Sequence, residues 1–271
     1  MPFAELHGLR YHYLTAGQGT PLLLLHGFTG SSENWTPHQP AFSEHFTTIT
    51  PDILGHGQSA APQNAGRYAI AEAAADLVEL LDQLSAEPAH LLGYSMGGRL
   101  ALFMALHYPI RFRSLTLESA SPGLKIASER HARIERDQAL ADQIESDGIE
   151  AFVSYWETLP LWQSQQSLPS HIRERLRQQR LHNSAHGLAN SLRGMGTGAQ
   201  PSLWNQLSQL ELPVLLLSGA LDEKFTVIGK RMAEQMPNAR QVSIADVGHT
   251  IHLEAPEAFR RQVLEFLRTN S

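Results

Sequence analysis

The chain has no cysteine, and none of its apolar runs is long. Without cysteine it can form neither a disulfide framework nor a metal site built from thiolates. No stretch approaches the ~18 consecutive apolar residues of a membrane-spanning helix, and the first residues do not resemble the start of a signal peptide. These absences predict a cytoplasmic protein with no membrane span.

Basic charge is also scarce. Lysine and arginine number 21 against 27 acidic residues, which gives a formal net charge of −6 at pH 7. A nucleic-acid-binding protein needs a basic face, so this balance argues against a nucleic-acid partner. His90, His107 and His182 lack the spacing of metal ligands, and we expect no metal. The sequence does not indicate the oligomeric state, and it is compatible with a monomer.

Two glycine-rich segments do not point to a cofactor. Residues 55–60 match the pattern G-x-G-x-x-A, but a dinucleotide-binding loop must run directly into a helix that receives the pyrophosphate. Here Ala61 and Pro62 follow, and they predict a turn. Residues 194–198 lack the Lys-Ser/Thr pair of a phosphate-binding loop and indicate the end of a helix. We therefore expect no cofactor.

The most informative segment is residues 93–98, Gly-Tyr-Ser-Met-Gly-Gly. It matches G-x-S-x-G between an apolar run and a helix-forming run, which is the strand–turn–helix setting of a nucleophile elbow. The glycines allow a sharp turn that exposes the hydroxyl of Ser95. The same turn directs the backbone N–H of Met96 at the reacting centre.

An acid and a histidine follow in the order Ser, Asp, His. Asp222 comes after the apolar run 212–219, and His249 comes after the short strand pattern 242–247. Loops after parallel strands meet at one edge of a sheet, where the histidine can take the serine proton and the carboxylate can orient the histidine. The alternative is that Asp222 only caps a helix and that His249 is a surface histidine. The matching order favours a catalytic triad.

A second oxyanion donor is predicted after the apolar strand 21–25. His-Gly-Phe-Thr-Gly follows at 26–30, where this motif provides a backbone N–H that pairs with the one after the nucleophile. The pair is then Phe28 N–H and Met96 N–H. His26 is expected to brace the loop and not to act in catalysis.

Strand and helix patterns alternate over residues 1–122 and again over 204–271, whereas 123–203 shows helical patterns only. This alternation predicts an α/β fold with a mostly parallel twisted sheet flanked by helices. The insertion 123–203 is predicted to be a helical lid over the carboxyl edge of the sheet. The predicted elements are strands 9–14, 21–25, 46–51, 89–92 and 114–119 and helices 69–84, 128–146, 149–158, 168–182, 185–192 and 256–267.

The lid is rich in arginine, and Arg99 lies four residues after the nucleophile. Guanidinium groups bind carboxylates through paired hydrogen bonds, so arginines that converge on a pocket indicate a multiply anionic small-molecule substrate. For any one lid arginine the alternative is a solvated helix face. The lid arginines are Arg130, Arg133, Arg136, Arg173, Arg175, Arg177, Arg180 and Arg193.

Five segments resemble the 2-succinyl-6-hydroxy-2,4-cyclohexadiene-1-carboxylate synthases of menaquinone and phylloquinone biosynthesis, which have the α/β-hydrolase fold. The Arg99 extension of the elbow and the stretch from Gly194 to Trp204 are the more specific parts of a likeness that spans essentially the whole chain. The segments are 25–31, 93–99, 121–124, 191–204 and 222–225.

The resemblance implies a lyase and not a hydrolase. The family's substrate is a cyclohexene with a ring carboxylate, a succinyl group and an enolpyruvyl ether, and it loses pyruvate to give a conjugated cyclohexadiene. Position by position, the resemblance assigns carboxylate binding to Arg99, Arg133 and Arg180, and pocket walls to Tyr94 and Trp156. This tricarboxylate agrees with the anionic substrate that the arginines indicate.

Two alternatives remain open at this point. The same triad could hydrolyse an ester, a thioester or a carbon–carbon bond with Ser95 as nucleophile. The chain could also be a non-catalytic ligand receptor on this fold, although an intact triad with two oxyanion donors argues against that. A pocket lined by arginine would favour the lyase, and an apolar pocket would favour the hydrolase.

Overall fold

The computed structural model describes residues 2–271, and its centre is an eight-stranded sheet in the order β1-β2-β4-β3-β5-β6-β7-β8. The pairs β1–β2 and β2–β4 are antiparallel, and every other neighbouring pair is parallel. The strands are β1 Phe3–Leu6, β2 Leu9–Ala16, β3 Thr20–Leu25, β4 Phe46–Pro51, β5 Ala89–Tyr94, β6 Phe112–Glu118, β7 Val214–Gly219 and β8 Ala239–Ile244.

Helices cover both faces of this sheet, as the alternation of patterns predicted. The α-helices are α1 Gln39–Phe42, α2 Ile70–Gln83, α3 Met96–His107, α4 Ala127–Trp156, α5 Ser170–Leu181, α6 Ala185–Met195, α7 Glu223–Ala233, α8 Ile251–Glu254 and α9 Pro256–Thr269. Short 3₁₀ helices lie at Ser32–Trp35, Ala65–Tyr68, Pro109–Arg111, Pro160–Ser167 and Trp204–Gln209. Among residues 2–271, no helix combines the length and the apolar character that a membrane crossing requires.

The central strands are continuous apolar runs because both faces of the sheet are covered. Along β3, Leu23 and Leu25 belong to the apolar cluster that includes α2 and α3. Leu22 and Leu24 point to the opposite face and join the cluster that includes α9. The sheet is therefore buried between two apolar layers, and the predicted α/β fold is confirmed.

Several elements are absent from the sequence-based expectation, and two of them bear on the argument. The predicted opening strand at 9–14 is the second strand, because β1 precedes it and pairs with it through a tight turn at His7 and Gly8, both with positive φ. The four residues of β1 are mostly exposed, so they carry little hydrophobic pattern. The 3₁₀ helix Pro160–Ser167 was also not predicted.

The insertion between β6 and β7 contains α4, α5 and α6 and no strand. Helix α4 is interrupted at Gly148, whose φ of 82° and ψ of 173° lie outside the helical region. The sequence predicted a helix ending at this glycine, and the two arms of α4 meet there. One arm carries Arg133 and the other carries Trp156, so both side chains that the resemblance assigned to this helix lie in the lid.

Phe259 on α9 provides a test of the packing on the second face of the sheet. Its side chain is fully buried against the rings of Trp35, Phe42 and His252. We expect Phe259→Ala to lower the free energy of unfolding by about 3–5 kcal/mol, because it leaves a cavity in close-packed surroundings. Urea unfolding followed by circular dichroism measures this. Ile110→Ala is the control: that side chain is 88% exposed, so its unfolding midpoint should not move. Equal midpoints for both variants would contradict the described packing.

Candidate active site

Ser95 sits at the turn between β5 and α3 with φ 50° and ψ −107°, a backbone conformation that non-glycine residues rarely adopt. The neighbouring glycines make this turn possible. A Cβ at Gly93 would lie 2.3 Å from the carbonyl oxygen of Gly97, and a Cβ at Gly97 would lie 2.4 Å from the carbonyl oxygens of Leu25 and His26. The close approach of strand, turn and helix therefore explains the glycines of the motif.

The structure brings Ser95, His249 and Asp222 together in hydrogen-bonding order. Nε2 of His249 lies 3.0 Å from Oγ of Ser95, and Nδ1 of His249 lies 2.5 Å from Oδ2 of Asp222. This carboxylate keeps the proton on Nδ1, so Nε2 is free to accept the serine proton. The arrangement has the geometry that general-base activation of a serine requires.

Asp222 also caps a helix, which was the alternative interpretation of this residue. Its Oδ1 accepts a hydrogen bond from the backbone N–H of Phe225 at 3.3 Å, at the N-terminus of α7. The cap fixes the carboxylate while Oδ2 remains with His249. The two interpretations are therefore compatible.

Two glutamates that the sequence analysis did not identify hold the histidine loop. Glu254 accepts hydrogen bonds from the backbone N–H groups of Gly248 at 2.7 Å and Thr250 at 3.1 Å, on either side of His249. The buried carboxylate of Glu118 accepts from the backbone N–H and Nδ1 of His252. Glu118 is the last residue of β6, the strand next to the nucleophile strand, and that position was the available sequence signal.

The two expected oxyanion donors, the backbone N–H groups of Phe28 and Met96, flank Ser95 in one cavity. Among residues 2–271, neither N–H donates a backbone or side-chain hydrogen bond. His26 braces this loop: its Nδ1 lies 2.8 Å from the carbonyl oxygen of Gly27, and its Nε2 accepts from the backbone N–H of Ile53. Burial lowers the pKa of His26, which keeps the ring neutral.

A cavity of about 250 Å³ opens above the triad. Core and lid share in its walls, so a ligand would lie between them. Of the residues named from the sequence, the cavity is lined by Ser95, His249, Phe28, Met96, Tyr94, Arg99, Arg133 and Trp156.

Arg99 is the most unusual residue in the lining of this cavity. Its Nη1 donates to the carbonyl oxygen of Met195 at 2.8 Å and to Oε1 of Gln200, and both acceptors are neutral. No carboxylate among residues 2–271 forms an ion pair with it. Burial and, second, the charge of Arg133 lower the pKa of Arg99 to about 10, so the group is still a cation at neutral pH. The charge of Asp137 opposes this shift, but Asp137 forms its ion pair with Arg133, so the partly buried guanidinium of Arg99 has no ion-pair partner of its own and favours an anionic ligand.

Arg133, Tyr94 and Trp156 complete the predicted walls. Nε of Arg133 donates to Oδ1 of Asp137 at 2.7 Å on the same helix. The hydroxyl of Tyr94 lies 2.8 Å from Oγ1 of Thr250, so Tyr94 offers its ring to the cavity. Trp156 packs edge-on against the ring of Phe28 at 5.4 Å and forms an apolar wall.

The structure does not bring Arg180 to this cavity. Its Nη1 donates to Glu157 at 2.9 Å and its Nη2 to Gln165 at 3.2 Å. Trp162 lies between it and the triad, 5.5 Å from the Arg180 guanidinium and 5.7 Å from the His249 ring. Sequence position could not show this, because the unpredicted 3₁₀ helix carries Trp162. The other lid arginines do not line the cavity either: Arg130, Arg136, Arg173, Arg175, Arg177 and Arg193.

Within residues 2–271, no cluster of three or more histidine, aspartate or glutamate side chains has the geometry of a metal site. The polar side chains that line the cavity include Ser95 and His249, the guanidinium groups of Arg99 and Arg133, and the ammonium group of Lys224.

Comparisons with known proteins agree with this geometry. A family model described as the alpha/beta hydrolase fold matches residues 20–256. A Bacillus subtilis (strain 168) protein, provisionally named 2-succinyl-6-hydroxy-2,4-cyclohexadiene-1-carboxylate synthase, is 47% identical over 96% of this chain and 95% of its own length. The protein of that name from Photorhabdus laumondii is 34% identical over 91% of this chain and 84% of its own length.

The solved structure of MenH from S. aureus has a TM-score of 0.91 and 39% identity to this chain, and the match covers 96% of this chain and 98% of that one. This likeness extends through the lid as well as the sheet, since little of either chain is left out. The chain belongs to the α/β-hydrolase fold family and, within it, to the 2-succinyl-6-hydroxy-2,4-cyclohexadiene-1-carboxylate synthases.

Proposed function

We propose that this protein eliminates pyruvate from 2-succinyl-5-enolpyruvyl-6-hydroxy-3-cyclohexene-1-carboxylate to give 2-succinyl-6-hydroxy-2,4-cyclohexadiene-1-carboxylate. The observation that carries the proposal is the partly buried Arg99, a cation in the wall of the triad cavity whose hydrogen-bond acceptors are both neutral. A substrate with carboxylates supplies the missing negative charge. A neutral ester does not.

The proposed substrate has three carboxylates, and the cations that line the cavity are Lys224 and the two arginines Arg99 and Arg133. Their guanidinium groups pair with carboxylates in two-point geometry, which fixes the orientation of the ring. Arg180 remains a predicted carboxylate binder, and it would meet a ligand only after Trp162 moves aside. We further propose that residues 123–203 act as one lid that closes over the bound anion.

The triad acts as a base in this proposal. His249, oriented by Asp222, takes the Ser95 proton, and the alkoxide removes the ring proton next to the succinyl ketone. Negative charge develops on the ketone oxygen, where the N–H groups of Phe28 and Met96 stabilise it. The electron pair then forms a new double bond within the ring, the existing ring double bond shifts by one position, and the carbon–oxygen bond to the enolpyruvyl group breaks. That group takes up the proton and leaves as pyruvate.

A hydrolase with the same triad is the alternative, and the cavity wall argues against it. Hydrolysis forms an acyl-enzyme on Ser95 and needs a water molecule, whereas the elimination needs neither. A neutral ester would leave the partly buried guanidinium of Arg99 without an ion-pair partner.

The triad assignment predicts large losses of turnover. We expect Ser95→Ala, Asp222→Asn and His249→Ala each to lower kcat by about 10²–10⁴-fold, because each removes part of one proton-transfer unit. Steady-state pyruvate release measures this, and circular dichroism checks the fold. His131→Ala is a matched control, since that imidazole is 78% exposed on the lid. A folded His249→Ala variant with a kcat close to that of the parent would rule out the assignment.

Arg99→Ala should weaken substrate capture. We expect a loss of roughly 2–5 kcal/mol in kcat/KM, because a buried carboxylate loses its paired cation. Arg193→Ala is the control, since Arg193 pairs with Asp142 and Glu145 away from the cavity. Arg99→Lys keeps the positive charge but lacks the paired N–H donors of the guanidinium, so it should recover only part of the loss. Equal kcat/KM in Arg99→Ala and the parent would remove the basis of the proposal.

The products separate a lyase from a hydrolase. With the enolpyruvyl-cyclohexene substrate, we expect pyruvate and the conjugated diene in equal amounts. Lactate dehydrogenase coupling measures pyruvate, and ultraviolet absorbance measures the diene. Activated esters should be turned over poorly by the same preparation. Burst kinetics with an ester and no pyruvate from the cyclohexene would establish the hydrolase instead.

A further inference from the structure

One negatively charged side chain, that of Asp137, lines the cavity to which we assign the tricarboxylate substrate. Asp137 lines this cavity with Arg99 and Arg133, and its side chain is 7% exposed. Its Oδ2 is buried and has no hydrogen-bond partner among residues 2–271. A buried carboxylate oxygen without a partner lowers stability, and a carboxylate here also repels the anion. Asp137 therefore needs a functional explanation.

The contact between Asp137 and Arg133 suggests one. The two residues are four apart on α4, and Oδ1 of Asp137 accepts from Nε of Arg133 at 2.7 Å. This bond uses the inner edge of the guanidinium. The Nη1 and Nη2 groups, which form the outer fork, make no hydrogen bond among residues 2–271, and a fork of this kind matches a carboxylate.

Arg133 needs such a restraint because it stands at the edge of the cavity. Its side chain is 35% exposed, and among residues 2–271 it makes no hydrogen bond or ion pair other than the one to Asp137. The surroundings of Asp137 are built to fit it closely: a Cβ at Gly196 would lie 2.5 Å from Oδ2. The carboxylate of Asp137 is therefore confined between α4 and the segment at Gly196. Its position in turn fixes the position of Arg133.

We propose that Asp137 is a positioning residue that holds Arg133 by Nε and presents its outer fork to a substrate carboxylate. The inference rests on the proposed function, because it assigns Arg133 to the substrate. The repulsion that Asp137 adds is offset, since Arg99 and Arg133 leave a net positive charge in this part of the wall. A fork held in place before binding loses less conformational freedom when the anion arrives.

The test compares Asp137→Ala, Asp137→Asn, Arg133→Ala and the double variant Arg133→Ala/Asp137→Ala. We expect Asp137→Ala to raise KM about tenfold with kcat within about twofold, since binding and not chemistry is affected. Asp137→Asn keeps an acceptor for Nε, so its KM should stay within about threefold of the parent value. The double variant should be no worse than Arg133→Ala alone, because Asp137 acts only through Arg133. Asp142→Ala, which removes a carboxylate on the same helix outside the cavity, is the matched control.

A binding measurement separates this inference from the proposed function. The Kd of 2-succinylbenzoate, a stable aromatic dicarboxylate, is measured by titration calorimetry for the same variants and should follow the pattern expected for KM. Independent losses for Arg133→Ala and Asp137→Ala, or an Asp137→Ala variant like the parent, would overturn the inference. So would equal losses of kcat and thermal stability in Asp137→Ala and Asp137→Asn, which indicate a structural role. Absence of pyruvate with the parent would overturn the proposed function, while the calorimetric series would still decide the role of Asp137.

Discussion

The turn at Ser95 is the constraint on which the rest of the site depends. β5, the turn and α3 approach so closely that neither Gly93 nor Gly97 has room for a Cβ. The strained backbone of Ser95 is stable only because these contacts enforce it. The turn exposes the hydroxyl, frees the N–H of Met96 and begins the helix that carries Arg99. One short segment thus provides the serine, an oxyanion donor and an anion-binding group.

The loop that carries His249 is held by two carboxylates, those of Glu118 and Glu254. The backbone carbonyl oxygen of Glu118 accepts a hydrogen bond from the N–H of Ser95 at 2.9 Å. The carboxylate of the same residue accepts a hydrogen bond from the backbone N–H of His252. One residue therefore connects the nucleophile turn with the segment after His249. Glu254 holds the other side of that loop. Each carboxylate accepts hydrogen bonds from more than one donor, so both are well placed to hold the loop that carries His249.

The local parts of this molecule could be predicted from sequence, and the parts made by distant contacts could not. Apolar runs and the elbow motif determine β3, β5 and the position of Ser95, because each depends on neighbours in the chain. The resemblance assigned Arg180 to carboxylate binding, but Trp162 separates it from the cavity. Asp137 and Glu254 carry no motif, since their roles follow from packing. Short, exposed β1 lacks the pattern that identifies a strand.

The hydrogen bond from Arg99 to the carbonyl oxygen of Met195 joins the core to the end of α6 in the lid. The cation that we assign to substrate recognition is thus also a fastening between two parts of the fold. A mutation that removed the guanidinium would change specificity and loosen the lid in one step. Divergence from this protein towards an enzyme for uncharged substrates therefore requires a second change that secures the lid again. This coupling restricts the evolutionary routes by which the arginine can be lost.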